Sequence, residues 1–153
     1  MIKVKQFILT ITFTVIFIIC WFTNSVNSEL VCGPSSYILK NMESRFGEKQ
    51  IARGIDQETN MIFIITANTL GNWSLLVSPA SNPRNLCVPI TGRDWLQQPQ
   101  ISSGTAYDGS NLTIHFDEEG NFKVYWLDQI NSKLMLLITG YDWQRFWEFD
   151  KSL

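Results

Sequence analysis

Residues 86–95 read Leu86-Cys-Val-Pro-Ile-Thr-Gly-Arg-Asp-Trp95, and residues 134–143 read Leu134-Met-Leu-Leu-Ile-Thr-Gly-Tyr-Asp-Trp143. Six of the ten positions are identical, including the motif Ile-Thr-Gly-x-Asp-Trp. Upstream of each copy, the segment Leu-Gly-Asn-Trp at 70–73 aligns with Glu-Gly-Asn-Phe at 119–122. This self-similarity predicts two copies of a three-strand β-meander, at 61–95 and 112–143. Gene duplication and similar turn chemistry on similar hairpins both account for it.

Short apolar or alternating segments separated by Asn, Asp and Gly predict the strands of this meander. The segments lie at 61–67, 73–77, 86–91, 112–116, 122–127 and 134–139, and a weaker one lies at 49–55. Residues 96–110 are polar and rich in turn-forming residues, which predicts a connector. We expect Ile90 and Ile138 to point into the core. We also expect Gly92 and Gly140 to end their strands in turns of positive φ.

The segment before the strands has the pattern of an amphipathic helix over residues 34–46. Pro34 suits the first turn, and Gly47 is a natural C-terminal stop. The residues at helical spacing on one face are Ile38, Leu39, Met42 and Phe46. The predicted fold class is therefore α+β: an N-terminal helix packed on an antiparallel β-meander of six or seven strands.

The N-terminal leader points to export. Lys3 and Lys5 precede an uncharged stretch from 6 to 28, which is typical of a signal peptide cleaved after Ser28. The alternative is an uncleaved anchor, because 6–28 is long enough to span a bilayer. Cleavage leaves one exported domain, 29–153, that is periplasmic or extracellular. An anchor would give it a membrane partner.

Composition limits the function classes. The chain has 153 residues, of which 45% are hydrophobic and 17% are charged, so intrinsic disorder is excluded. Its formal net charge of −2 becomes −4 once the two leader lysines are removed, which argues against a nucleic-acid partner. A single His and three Cys predict no metal site and no cofactor.

Cys32 and Cys87 remain after cleavage, and two cysteines in an exported domain predict one disulfide. Such a bridge would stabilise the fold by roughly 4 kcal/mol in the chain-entropy treatment. The alternative is a free reactive thiol pair.

Few residues suggest catalysis. Asp94 and Asp142 occupy matching positions, and paired carboxylates serve acid-catalysed hydrolysis when they share a cleft. Each Asp can instead bond the backbone of its own turn. Trp95 and Trp143 are predicted to pack in the core or at its rim rather than to form a stacking surface. His115 is predicted to be exposed on a strand.

The segment 32–95 resembles a family of short exported proteins of alphaproteobacteria for which no activity is established. The matching positions are Cys32, Phe46-Gly47-Glu48, Gly54, Gly71-Asn72-Trp73, Cys87 and Gly92. The resemblance implies a periplasmic location and supplies no function.

A second segment is similar to the periplasmic inhibitors of C-type lysozyme. Ser103-Gly104-Thr105-Ala106-Tyr107, followed by 112–116, matches the Ser-Gly-x-x-Tyr segment of that family. The resemblance implies that a loop carrying Ser103, Gly104 and Tyr107 inserts into the lysozyme cleft. The chain departs from the family where it has Glu118-Glu119-Gly120 in place of Thr-Lys-Gly, because an acid there repels the lysozyme carboxylates.

The sequence thus predicts an exported, non-enzymatic binding or envelope-associated module without an identified ligand. An envelope protein and lysozyme are the candidate partners. The first alternative is a lysozyme inhibitor, and the distant alternative is an acid-catalysed hydrolase.

Overall fold

The computed structural model describes residues 30–79, 81–82 and 84–146. The predicted signal peptide and residues 147–153 lie outside the described residues. Within them, no helix combines the length and the apolar character needed to cross a bilayer. The elements are β1 (Val31–Pro34), α1 (Ser35–Phe46), β2 (Lys49–Asp56), β3 (Ile62–Ala67), β4 (Trp73–Ser78), β5 (Asn85–Gln97), β6 (Ile101–Ala106), β7 (Asn111–Phe116), β8 (Phe122–Asp128) and β9 (Lys133–Arg145).

Strands β2 to β9 close into an eight-stranded antiparallel barrel. Each strand pairs with its neighbours in chain order, and β9 returns to pair with β2. β1 lies outside the ring and pairs with β5 alone. The predicted α+β fold, with a helix on an open meander of six or seven strands, is therefore wrong. The described chain is mostly β-structure, and its sheet is closed.

The error lies in the segment 96–110, which was predicted to be a connector. It contains β6, which pairs with β5 on one side and β7 on the other and so closes the ring. The inward residues of β6 are small (Ser102, Gly104 and Ala106) because large rings already fill the barrel. A Cβ on Gly104 would lie 2.4 Å from Nε1 of Trp73.

The barrel consists of two halves, β2–β5 and β6–β9, with matching internal contacts. Trp73 on β4 lies opposite Gly92 on β5, and Phe122 on β8 lies opposite Gly140 on β9. The rings of Trp73 and Trp95 have centroids 5.4 Å apart, and those of Phe122 and Trp143 are 5.0 Å apart. Both tryptophans of the repeated motif thus pack inside the barrel, with Ile138 buried and Ile90 partly buried beside them.

Gly92 and Gly140 do not end their strands. Both lie in the middle of 13-residue strands, and the positive φ falls two residues later, at Asp94 (59°) and Asp142 (57°). The glycines are needed for space. A Cβ on Gly92 would lie 2.2 Å from the Thr105 carbonyl oxygen, and one on Gly140 would lie 2.3 Å from the Ile55 carbonyl oxygen. The prediction that these glycines end their strands in turns of positive φ is therefore wrong: close packing, not backbone conformation, requires glycine there.

Helix α1 covers the outer wall of the first half and forms a second, smaller core. Ile38 and Met42 of α1 pack on Ile64, Leu76 and Leu86. The helix ends as predicted at Gly47, which has a φ of 66°. The Gly47 and Glu48 amides donate to the carbonyls of the last turn.

The disulfide Cys32–Cys87 is confirmed. It joins directly opposed residues of β1 and β5 across a sequence separation of 55. The bridge therefore fixes the start of α1 to the barrel wall.

Candidate functional site

A groove of about 550 Å³ lies between α1 and the outer wall of β4 and β5. We call it the α1–β5 groove. One side is formed by the helix, and the other by Val88, Pro89 and Thr91 of β5. Trp73 and Gly92 form part of the floor.

Local sequence explains why this groove is open. Ile38 and Met42 of α1 are buried against the wall and Leu39 is partly buried beside them, whereas Tyr37, Arg45 and Phe46 are exposed. Gly47 then reverses the chain into β2. Both ends of the helix are held, by the disulfide at one end and by the backbone hydrogen bonds of the Gly47 turn at the other. The groove is therefore a preformed feature of the fold.

Three exposed aromatic side chains border the α1–β5 groove. Tyr37 and Phe46 come from α1 and are 60% and 55% exposed, and Tyr107 comes from the β6–β7 turn and is 67% exposed. The Tyr107 amide donates to the Thr91 carbonyl oxygen at 3.3 Å, which holds this turn against β5. Large exposed rings around one recess are typical of binding surfaces, since each supplies apolar contact area and Tyr adds a polar group.

Arg45 supplies the positive charge of the groove. It lies in the last turn of α1 and is exposed. Across the described parts of the chain, its guanidinium forms no ion pair. It therefore leaves five donors in a planar arrangement that suits a carboxylate, sulfonate or phosphate.

Glu48 lies at the base of the groove and is only 5% exposed. Thr66 Oγ1 donates to Glu48 Oε2 at 2.7 Å. Burial raises the pKa of the Glu48 carboxyl, and hydrogen bonds from the Thr66 and Ser74 side chains oppose that rise. The groove thus combines a free cation at its mouth with a buried carboxyl whose charged form is disfavoured.

The structure separates the residues predicted to bind lysozyme. Ser103 lies inside β6, half-buried and paired between Leu96 and Thr113. Gly104 is buried against Trp73 and Trp95. Only Tyr107 lies on an exposed turn, and it borders the α1–β5 groove. The predicted projecting loop is therefore a strand, except at its last residue.

The two motif carboxylates do not share a cleft. Asp94 is on β5 and Asp142 is on β9, and these strands lie four apart in either direction around the ring of eight, on opposite sides of the barrel. Each carboxylate has a local partner: Asp94 with Arg93 at 3.7 Å, and Asp142 with the Gln144 amide at 2.7 Å. The paired-carboxylate geometry of a glycosidase is absent from these two residues.

No group of three or more His, Cys, Asp or Glu among the described residues could hold a metal ion. His115 is exposed and packs edge-on against Tyr125, with ring centroids 5.4 Å apart. Asp117 accepts hydrogen bonds from the Asn121 backbone and side chain within its own hairpin turn.

Sequence reasoning missed Tyr37, Arg45 and Glu48, and it assigned Phe46 to the packed face of the helix. Phe46 is exposed because the chain turns away from the wall at Gly47. The sequence signal that could have indicated the groove is Arg45 next to Phe46 at the end of the helix, with Glu48 just after the turn.

No protein-family model, curated protein or solved structure matches this chain.

Proposed function

We propose that the protein is an exported, non-enzymatic binding module, and that the α1–β5 groove binds an amphiphilic ligand. The ligand has an apolar body, which lies against the aromatic rim and β5, and an anionic group, which pairs with Arg45. The observation that carries the proposal is the convergence on a single groove of three exposed rings and the Arg45 guanidinium, which has no ion-pair partner in the part of the chain that the structure describes.

The apolar body accounts for the rim. Tyr37, Phe46 and Tyr107 expose large apolar surfaces to water, and a ligand that covers them removes those surfaces from solvent. Pro89 and Val88 extend the apolar contact along the opposite wall. Because both ends of α1 are fixed, the groove loses little conformational freedom on binding.

The anionic group accounts for the charges. Arg45 offers a charge-assisted hydrogen bond to an anion at the mouth of the groove. Glu48 at the base is buried and already accepts a hydrogen bond from Thr66, whereas Arg45 is exposed and has no ion-pair partner among the described residues. The more accessible charge of the groove is therefore positive, which favours an anionic ligand.

The experiment uses two fluorescent probes that share an apolar body and differ in charge. These are 1-anilinonaphthalene-8-sulfonate, which is anionic, and N-phenyl-1-naphthylamine, which is neutral. Both should bind the folded protein with increased fluorescence. Phe46→Ala and Tyr107→Ala should weaken both probes by about fivefold, the equivalent of about 1 kcal/mol each.

Arg45→Gln should weaken only the sulfonate probe. Leu70→Ala is the matched control, because Leu70 is an exposed apolar residue that does not border the groove. Equal binding by wild type, Phe46→Ala and Tyr107→Ala would show that the groove is not the site.

The lysozyme-inhibitor alternative now depends on one observation, the exposure of Tyr107 on its turn. Ser103 lies within a paired strand and cannot enter a cleft with Tyr107 as one loop. An assay of C-type lysozyme activity tests this alternative.

A further inference from the structure

The two halves of the barrel differ in what covers their outer walls. In the first half, β1 pairs along residues 85–88 of β5, and α1 covers the wall beside it. The equivalent residues of the second half are 133–136 of β9, by the register that matches Gly92 with Gly140. Among the described residues, nothing covers them.

Exposure of matched residues shows the difference directly. Leu86 is 1% exposed beneath α1, whereas Leu134, its equivalent on β9, is 64% exposed. Leu127, Leu136 and Leu137 surround Leu134 and are also exposed. We call these four leucines the β8–β9 leucine face.

The edge of β9 beside this face is also open. β9 pairs with β2 only from Gly140 onward, with one further bond from the Gln57 amide to the Thr139 carbonyl oxygen. Among the residues that the structure describes, 133–138 therefore pair with β8 alone. A free strand edge next to an apolar face is a template for pairing with another strand.

We propose that this edge and the β8–β9 leucine face bind a second copy of this chain, with residues 133–138 of the two copies paired antiparallel about a two-fold axis. Such pairing is isologous, so each copy presents the same strand edge and the same four leucines to the other. The segment reads Lys-Leu-Met-Leu-Leu-Ile, with one charge at its first residue. Antiparallel pairing places the two Lys133 side chains at opposite ends of the interface, so they do not repel.

β1 is a poorer partner for this edge, although it too has one open side. It has only four residues, and it ends at Pro34, which lacks an amide donor.

The small area of the proposed interface limits the affinity of the dimer. Four leucines and a short strand edge cover less than the ~800 Å² per partner of a standard interface. We therefore expect a dissociation constant in the micromolar range, ~10 μM.

Sedimentation velocity over a concentration series tests the proposal on the oxidised protein. Wild type should shift from monomer to dimer at about 10 μM, and Leu136→Lys should raise the midpoint at least tenfold by burying an unpaired charge. Leu70→Lys is the matched control and should keep the wild-type midpoint, because Leu70 is exposed on the β3–β4 turn outside this face.

A second measurement does not depend on affinity. Leu136→Cys places a thiol near the proposed two-fold axis, and mild oxidation should link two copies, whereas Leu70→Cys should link them far less. The melting temperature of each variant checks that it is folded. Wild type that remains monomeric well above 100 μM, or equal cross-linking of the two cysteine variants, overturns the proposal.

Discussion

Glu48 is a buried carboxyl at the base of the α1–β5 groove, and its burial makes stability depend on pH. Because burial raises the pKa of Glu48 above its ordinary value of 4.5, the folded state holds the proton more tightly than the unfolded chain. Its favourable contribution is thus present below pH 4.5 and is lost as pH rises through the folded-state pKa.

Glu48→Gln removes this titration while keeping a hydrogen-bonding side chain. Relative to wild type, the free energy of unfolding of Glu48→Gln should rise as the pH increases from 4.5 through the folded-state pKa of Glu48, because only the wild type must bury a charge there. Urea unfolding at several pH values measures the difference. Glu43→Gln, which changes an exposed carboxylate of α1, is the control. A constant difference across this range would contradict the argument.

Gly92 shows how one missing side chain shapes both the barrel and the groove. Gly92→Ala should destabilise the protein by about 1–3 kcal/mol, because the added Cβ meets the Thr105 carbonyl oxygen at 2.2 Å and the Trp73 ring at 2.7 Å. Gly33→Ala is the matched control, since its Cβ would meet Ile38 at 3.5 Å and Tyr37 at 3.9 Å, which are ordinary van der Waals distances. Chemical denaturation compares the two. Equal effects would mean that the wall can shift to accept the methyl group.

At the scale of elements, β1 and α1 form a cover for the first half of the barrel, tied to it by the disulfide. Cys32→Ser should cost about 2–5 kcal/mol, as is usual for a bridge lost from a small exported domain. Hydrogen exchange should become faster in α1 and β1, while β7 and β8 keep their protection in native conditions. Binding of the naphthalene probes in the α1–β5 groove should also weaken in Cys32→Ser. Reduction of wild type should reproduce both effects, and faster exchange in β7 and β8 would contradict this separation.

Local signals in the sequence identified individual elements well. Pro34 and Gly47 bracket α1, and apolar alternation identified β3, β4, β7 and β8 close to their observed limits. β6 was missed because its inward residues are Ser, Gly and Ala, which resemble loop composition. They are small because Trp73, on a strand about 30 residues earlier, and Trp95, on the preceding strand, already fill the space.

Barrel closure and the groove depend on long-range contacts that local patterns do not encode. The pairing of β2 with β9 joins residues about 90 positions apart, and no turn signal marks it. The groove likewise brings Arg45 on α1 together with Tyr107 on the β6–β7 turn. Of the three residues predicted to bind, only Tyr107 borders the groove, because strand pairing fixed Ser103 and packing buried Gly104.

At the scale of the whole molecule, two similar halves present different outer walls. The first carries the cover and the groove, and the second carries the open edge of β9. These walls lie on different strands of the closed ring, so ligand binding and self-association use separate surfaces. A dimer formed through β9 therefore leaves the α1–β5 groove open to its ligand.

Net charge also acts at this scale and bears on the lysozyme alternative. Residues 29–153 carry a formal net charge of −4, so they should attract a strongly basic lysozyme at low salt without any specific fit. This attraction should weaken sharply near 0.15 M salt, where the Debye length is ~8 Å. Hydrogen bonds from Asn121 lower the pKa of Asp117, so this carboxyl of the β7–β8 turn stays charged at neutral pH.

Ser103→Ala and Tyr107→Ala separate charge attraction from insertion into the lysozyme cleft. Insertion predicts at least a tenfold loss of inhibition in both variants, since a central anchor contributes more than about 1–2 kcal/mol. Because Ser103 lies within β6 and Glu119 stands where the inhibitor family has Lys, we expect no inhibition at physiological salt and no effect of Ser103→Ala on lysozyme binding. Tyr107→Ala should still weaken the naphthalene probes in the groove. Strong inhibition that Ser103→Ala abolishes in a folded variant would restore the inhibitor alternative.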